Sequence, residues 1–81
     1  MSVQDKVANV FKDVFAFDPA KFTSKLTPQD VKKWDSVGHM AMVAALETDF
    51  GIQFEVDEIM EMVNVEAVLK TLEKKGVVDG A

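Results

Sequence analysis

Apolar residues recur at helical spacing through most of the chain, and this pattern predicts four helical segments. In the first segment the apolar side chains that fit one helical face are Val3, Val7, Val10, Phe11, Val14 and Phe15. Asp18-Pro19 should stop this helix, because a residue that precedes proline avoids helical backbone angles. The spacing therefore predicts a first helix with one face turned to a core.

A long connection follows, over residues 18–34, and it contains both prolines of the chain. Connections longer than about 12–15 residues without regular structure are uncommon in small domains and are often functional. Four apolar side chains should hold this connection against the core: Phe22, Leu26, Val31 and Trp34. Residues 27–30 fit a short helical turn, with Thr27 as its cap and Pro28 as its first residue.

The second helix is predicted from Ser36 to Phe50, and Gly51 fits the left-handed residue that commonly closes a helix. One side of this helix should face the core, and it carries Met40, Val43, Leu46 and Phe50. The opposite side carries small or apolar residues, where a surface helix usually has charges: Val37, Gly38, Ala41, Ala44, Ala45 and Thr48.

Two interpretations of that small-residue side remain open at the sequence level. The helix is either central and buried on both sides, or a partner protein docks on the small-residue side. We favour docking, because four helices can hardly enclose one of their number completely. Acidic residues could then form a polar rim around the docking surface, at Asp35, Glu47, Asp49, Glu55, Asp57, Glu58 and Glu61.

The remainder of the chain predicts a linker and two further helices. Ile52, Phe54 and Val56 alternate with polar residues and are expected to direct apolar side chains into the bundle from an extended linker. Asp57 should cap a short third helix, in which Ile59, Met60 and Met62 point partly inward. Asn64 should end that helix. The last helix is predicted from Val65, Val68, Leu69 and Leu72, with Lys74, Lys75 and Gly76 at its end.

The predicted fold is therefore all-α, a small four-helix bundle with a long loop between the first two helices and a short third helix. Its 81 residues are expected to form a single domain, 1–81, and the 48% of hydrophobic residues suffice for one core. The sequence contains no apolar stretch of transmembrane length and no signal-peptide pattern. It contains no cysteine. We expect a cytoplasmic monomer.

Charge is distributed unevenly along the chain. Residues 1–34 carry six lysines and four acids, whereas residues 35–81 carry ten acids and three lysines. The net charge of −5 argues against nucleic acid as a partner. A negative surface instead attracts partner proteins with basic patches.

The sequence WDSVGH at the start of the second helix contains the most informative hydroxyl in the chain. Asp35 is a suitable N-cap, and Ser36 is then the first helical residue, near unpaired backbone amides and the positive end of the helix dipole. Such a position stabilises an anion. Asp and Ser are common at helix starts, however, so this pair alone is a weak signal.

The longer stretch WDSVGHMAMVAALETDFGI resembles the attachment segment of acyl carrier proteins. That family has an Asp-Ser-Leu-type motif at the start of its second helix, followed by an apolar helix that ends in acidic residues and Phe-Gly. The resemblance covers nearly the whole chain, including Asp35-Ser36-Val37, Phe50-Gly51-Ile52, a short acidic third helix and a closing fourth helix. The tripeptide alone is a weak indication of this family, but its position within an acidic four-helix sequence of this length is a strong one.

The resemblance implies a non-catalytic carrier. A phosphopantetheinyl transferase would attach 4'-phosphopantetheine from coenzyme A to Ser36, and the thiol of the arm would carry acyl groups as thioesters. Further implied partners are acyl-activating enzymes, acyltransferases and synthases with basic docking patches, in fatty-acid or specialised lipid or secondary-metabolite biosynthesis. The sequence also shows departures: Gly38 and Ala41 stand where many fatty-acid-synthesis carriers have acids, and Val37 replaces the usual leucine.

Residues near the serine have both structural and functional interpretations. His39 and Trp34 are expected mainly to pack, and both could also contact the arm or its acyl group, as could Met40, Ile59 and Met62. A Ser36–His39 hydrolase is disfavoured, because no orienting third group or oxyanion-hole motif accompanies the pair. A specific calcium site is also disfavoured, because apolar residues interrupt the acidic run. No metal is expected.

Two alternatives to an acyl carrier remain. One is an aminoacyl or peptidyl carrier, towards which Trp34 and the Gly38-His39 pair lean. The other is an unmodified helical adaptor that uses the same small-residue side of the second helix for protein interaction.

Overall fold

The computed structural model describes residues 2–77, and within them the chain forms four α-helices. Helix α1 spans Val3–Phe15, α2 spans Ser36–Phe50, α3 spans Val56–Glu61 and α4 spans Val65–Lys74. A short 3-10 helix, Pro19–Lys21, lies in the connection between α1 and α2. The predicted all-α fold, with its long loop and short third helix, is confirmed. Residue 1 and residues 78–81, which the predicted domain 1–81 includes, lie outside the described residues. In the described part no helix has the length and apolarity needed to cross a membrane.

Helix α1 begins and ends with well-defined local contacts. The Ser2 hydroxyl accepts a hydrogen bond from the Asp5 amide at 3.0 Å, and Asp5 itself suits the positive end of the helix dipole. The helix ends at Ala16, which has left-handed backbone angles with φ of 53° and ψ of 34°. The helix thus stops before Asp18-Pro19, as the sequence predicted.

The long connection is anchored at several points. Val31 and Trp34 are buried, while Phe22 and Leu26 are half-buried and pack against the core. The Val65 amide donates to the Leu26 carbonyl at 3.1 Å, which joins the middle of the connection to the start of α4. The connection is therefore a fixed part of the fold and holds Trp34 directly before α2.

Aromatic side chains occupy the end of the core that lies closest to the start of α2. The Phe11 ring meets the rings of Phe15, Phe22 and Trp34 edge-on, with centroid separations of 5.0, 5.2 and 5.1 Å. Edge-to-face arrangements of this kind stabilise aromatic pairs beyond the effect of buried area. They fix the position of the residues that lead into Ser36.

Helix α2 faces the core differently from the predicted stripe. Its buried residues are Met42, Val43 and Leu46, whereas Met40 is 53% exposed and Phe50 is half-buried. The prediction that Met40 faces the core was wrong. Met40 and Met42 are separated by about 200° around a helix, and both are equally apolar, so spacing alone could not choose between them.

The linker and α3 also differ from expectation. Helix α3 begins at Val56 after Glu55, so the prediction of Asp57 as its cap was wrong. The Glu55 amide donates to the Glu58 carboxylate at 2.7 Å, an interaction that only the earlier start allows. Ile52 and Phe54 turn inward as predicted, but Val56 and Met60 are exposed, because a helix this short has only one side to bury.

Helix α4 completes the core. The Asn64 side chain accepts from the Ala67 amide at 2.8 Å and caps the helix. Val65, Val68, Thr71 and Leu72 are buried along one face, and Gly76 follows with a φ of 85°. The predicted core face and glycine-terminated end of this helix are confirmed.

Candidate functional site

Asp35 organises the start of α2. Its Oδ1 accepts a hydrogen bond from the Gly38 amide at 2.8 Å, and its carbonyl accepts from the His39 amide at 2.7 Å. Ser36 follows as the first helical residue and is exposed. The first amides of a helix have no partner within the helix and carry the positive end of its dipole. The Ser36 hydroxyl is therefore accessible and lies where a negative group is stabilised.

Gly38 has a packing role that the sequence did not indicate. A Cβ atom at this position would lie 2.0 Å from the Lys33 carbonyl oxygen and 2.9 Å from Cε1 of Phe15. Every other amino acid would force the loop away from the helix. The absence of an acidic side chain two positions after Ser36 thus follows from how closely the connection approaches α2.

A cleft of about 590 Å³ opens beside Ser36, between the start of α2 and α3. The residues that line it are mainly apolar: Pro28, Trp34, Asp35, Ser36, His39, Met40, Ile59, Met60, Met62 and Val63. All five residues that the sequence nominated for contact with an arm or acyl group lie here, namely Trp34, His39, Met40, Ile59 and Met62. The volume lies within the range of small-molecule sites.

His39 connects the two sides of this cleft. The Trp34 indole Nε1–H donates to His39 Nδ1 at 2.9 Å, and His39 Nε2 lies 2.8 Å from the Ile59 carbonyl oxygen. The indole and imidazole rings are nearly parallel, at 10°, with centroids 6.2 Å apart. With both ring nitrogens engaged, His39 is unsuited to act as a base toward Ser36.

The small-residue side of α2 is largely open to solvent. Val37 is 81% exposed, Ala41, Ala44 and Thr48 are exposed, and Ala45 is half-buried against the core. Complete burial of α2 is therefore excluded. Met60 on α3 and Val63, two residues after that helix, are also exposed and add apolar contact points at the cleft.

The acidic residues divide into two groups. Asp35, Asp49, Glu55, Asp57 and Glu61 are exposed. Glu47 and Glu58 are half-buried and make internal contacts: Glu47 accepts from the Phe54 amide at 2.8 Å, and Glu58 pairs with Lys75 at 2.9 Å. The hydrogen bond from the Glu55 amide, followed by that from Lys75, holds the pKa of Glu58 below its ordinary value.

Sequence reasoning missed three apolar residues of this region. Met60 and Val63 line the cleft near its opening, and Val56 is 71% exposed at the start of α3. Met60 had been predicted to point partly inward, whereas it is 72% exposed. The shortness of the acidic segment could have indicated that some of these residues are exposed, since a helix of less than two turns cannot bury apolar residues on opposite sides.

Comparison with known proteins gives matches among solved structures. No protein-family model matches the chain, and no curated protein matches it. Among solved structures, it is similar to the holo acyl carrier protein from Geobacter metallireducens, with a TM-score of 0.80 and 29% sequence identity. The match covers 93% of this chain and 86% of that one. The similarity to acyl carrier proteins that the sequence suggested is confirmed, and the fold is that of a small acyl-carrier-type bundle.

Proposed function

We propose that the chain is a single carrier domain, 1–81, that bears 4'-phosphopantetheine on Ser36 and presents thioester-bound acyl groups to separate enzymes. One observation carries the proposal: an exposed serine opens α2 beside an apolar cleft, in a fold similar to a holo acyl carrier protein. The chain itself is then no enzyme, since its task is to hold and deliver a group that other proteins transform.

Priming uses the geometry at the start of α2. A phosphopantetheinyl transferase transfers the arm from coenzyme A: the Ser36 oxygen forms a phosphodiester, the phosphoanhydride of coenzyme A breaks, and the nucleotide leaves. The exposed hydroxyl is accessible to such an enzyme. The resulting phosphodiester anion lies at a helix N-terminus, where backbone amides and the helix dipole favour negative charge. The Asp35 cap keeps that helix end in place.

The cleft favours an acyl load over an amino acid. Its walls are formed by methionine, isoleucine, valine and tryptophan side chains, and both nitrogens of His39 are already engaged. An aliphatic chain loses little by entering such a site, whereas the ammonium of an aminoacyl group would lose hydration and would find one charged partner in the lining, the Asp35 carboxylate. An aminoacyl or peptidyl carrier is therefore the second candidate, supported by the Trp34-Asp35-Ser36 opening.

Partner enzymes are proposed to dock on α2 and α3. Val37, Ala41, Ala44, Ala45 and Thr48, with Gly38 behind them, supply the contact side of α2. The exposed acids around it would attract basic patches on a transferase, acyltransferase or synthase and raise the encounter rate. Glu47 and Glu58 contribute charge to this surface while their carboxylates hold the linker and α4. We expect the carrier to act as a cytoplasmic monomer.

Intact-mass spectrometry tests the proposal directly. The parent chain, Ser36→Ala and Ser24→Ala are incubated with coenzyme A and a broad-specificity phosphopantetheinyl transferase, beside a known carrier as positive control. We expect the parent and Ser24→Ala to gain one phosphopantetheinyl group and Ser36→Ala to gain none. A folded parent that stays unmodified while the control is primed would favour the adaptor interpretation. Competition between activated fatty acids and amino acids for loading then separates the two kinds of carrier.

A further inference from the structure

The hydrogen bonds of His39 specify one form of its ring. The indole nitrogen of Trp34 is a donor only, so His39 Nδ1 must accept its hydrogen. The hydrogen of a neutral imidazole then resides on Nε2, which donates to the Ile59 carbonyl. The geometry therefore requires the neutral tautomer with hydrogen on Nε2. The two hydrogen bonds form a relay from Trp34 in the connection, through His39 on α2, to Ile59 on α3.

Apolar packing holds helix α3 only near its end, where Ile59 packs against the core and Met62, directly after the helix, is buried. All six of its residues are described, and each is half-buried or exposed. A six-residue helix is far below the length at which an isolated helix is stable in water. At its first turn α3 is held by the Glu58–Lys75 ion pair to the residue after α4. At its last turn the relay bonds the carbonyl of Ile59.

We propose that His39 is a positioning residue that latches the last turn of α3 to α2 and so sets the width of the cleft beside Ser36. The latch follows from the contacts of the unmodified chain. Its consequence for an attached arm and acyl group rests on the proposed function, because only a primed carrier has an arm to admit.

Ring packing alone does not account for this residue. A phenylalanine at position 39 would preserve a ring beside Trp34, but it would leave the indole N–H without its acceptor. The Ile59 carbonyl would keep only the Met62 amide, at 3.4 Å, as a donor. Imidazole offers one acceptor and one donor on opposite sides of a rigid ring, which matches a donor on one wall and an acceptor on the other. A side chain that joins the two walls of the cleft must accept a hydrogen bond on one side and donate one on the other, and histidine does both.

The tautomer gives the first test. Long-range nitrogen–proton NMR correlation on the unmodified chain at neutral pH distinguishes the two ring nitrogens of its single histidine. We expect a protonated Nε2 and an unprotonated Nδ1, with a slowly exchanging Trp34 indole proton. Hydrogen on Nδ1 would overturn the relay, because two donors would then face each other.

Amide hydrogen exchange gives the second test, with His39→Phe as the main variant. The Ile59 and Met62 amides should exchange about two- to ten-fold faster in the variant, as expected for the loss of one net hydrogen bond. The Val68 amide in α4 should keep its rate and serves as the reference for global stability. Trp34→Phe, which removes the indole donor together with part of a buried ring, should accelerate the same α3 amides more than it accelerates Val68.

Thr48→Ala is the matched control. Thr48 lies on α2 and its hydroxyl bonds the Ala44 carbonyl at 3.1 Å, so this variant also removes a side-chain hydrogen bond, but one without a connection to α3. It should leave α3 exchange unchanged. Equal exchange in parent and His39→Phe, or equal acceleration of Ile59 and Val68, would overturn the latch.

The two proposals fail separately. Exchange and tautomer measurements use the unmodified chain, so they succeed or fail whether or not Ser36 is primed. Intact mass reports priming whether or not α3 is latched. If the latch is observed but no transferase modifies the chain, the conformational result stands. The latch then has no role in admitting an acyl group.

Discussion

Helices α3 and α4 are neighbours in sequence but are held by different forces. Helix α4 buries Val65, Val68, Thr71 and Leu72 in the core. Helix α3 turns Val56 and Met60 to solvent and buries none of its own residues completely. Polar contacts at its first and last turns add to the packing of Ile59 and of Met62, which follows the helix. Burial of one large apolar side chain contributes about 1.5–3 kcal/mol, whereas one hydrogen bond contributes about 0.5–1.5 kcal/mol net.

Because of this difference, α4 contributes mainly to the stability of the fold, whereas the position of α3 mainly affects the shape of the site. The cleft has one wall, α2, that contributes three fully buried residues to the core, and one wall, α3, that contributes none. Local openings in proteins arise where few apolar contacts are buried. A carrier that accepts and releases a chain needs such a combination, with a fixed attachment point and a movable cover.

The largest expected effect comes from breaking the α4 side. Leu72→Ala should lower the free energy of unfolding by about 2–5 kcal/mol, because Leu72 is completely buried and its removal leaves a cavity. Met60→Ala on α3 should change it by less than about 0.5 kcal/mol. Urea denaturation followed by circular dichroism measures both. Similar losses in the two variants would refute the distinction between the helices.

A second prediction concerns the fixed wall of the cleft. Gly38→Ala should cost about 1–3 kcal/mol, because the added Cβ would overlap the Lys33 carbonyl and press on Phe15. Ala41→Gly is the control, since it changes a neighbouring exposed residue of α2 and should cost about 1 kcal/mol at most. The same denaturation measurement applies. An unchanged midpoint for Gly38→Ala would show that the loop and α2 approach each other less closely.

A third prediction raises stability at the end of α1. Ala16 ends α1 with left-handed backbone angles that cost an alanine about 1–2 kcal/mol relative to helical ones. Ala16→Gly should therefore raise the free energy of unfolding by up to about 1 kcal/mol, part of the gain being lost to the flexibility of glycine in the unfolded chain. Thermal unfolding should show a higher midpoint, with priming of Ser36 unaffected. A lowered midpoint would contradict the assigned conformation.

The smallest expected effect concerns the first turn of α3 and depends on pH. The pKa of Glu58 lies below its ordinary value of 4.5, so the folded state prefers the ionised carboxylate. This contribution to stability is fully present above pH 4.5 and is lost as the pH falls through the lowered pKa. Glu58→Gln should thus reduce stability at pH 7, and the difference from the parent should shrink in acid.

Lys75→Met provides the companion variant for that measurement. It removes the ammonium that pairs with Glu58 and should reproduce part of the effect at pH 7, while the Glu55 amide bond remains. Both variants are followed by denaturant unfolding across pH. A difference between Glu58→Gln and the parent that grows in acid would contradict the direction of the pKa shift.

The fold was largely predictable because most of its elements have strong local signals. Asp18-Pro19, the Gly51 terminus and the helix end predicted at Asn64 fixed three boundaries within a few residues. The errors arose where apolar residues occur on two sides of a helix. Met40 and Met42 are the same type of residue, so the sequence could not distinguish them. Which of them is buried depends on how α1 and the connection pack against α2.

The site was predictable in part. The helix start at Ser36 and the five cleft residues around it were nominated from sequence, whereas the relay from Trp34 to Ile59 was not. One hydrogen bond of that relay joins His39 to the backbone carbonyl of Ile59, 20 positions away, and no side-chain pattern encodes such a partner. The close approach at Gly38 was missed for the same reason, since its neighbour is the Lys33 carbonyl.

The aromatic residue that begins the relay has a further consequence. The chain contains one tryptophan and no tyrosine, so its intrinsic fluorescence reports on a single ring. That ring is buried, stacks beside His39 and forms part of the cleft. Emission from Trp34 therefore reports on the environment next to Ser36 without any added label. Its intrinsic fluorescence can thus follow changes at the place where loading and unloading are proposed to occur.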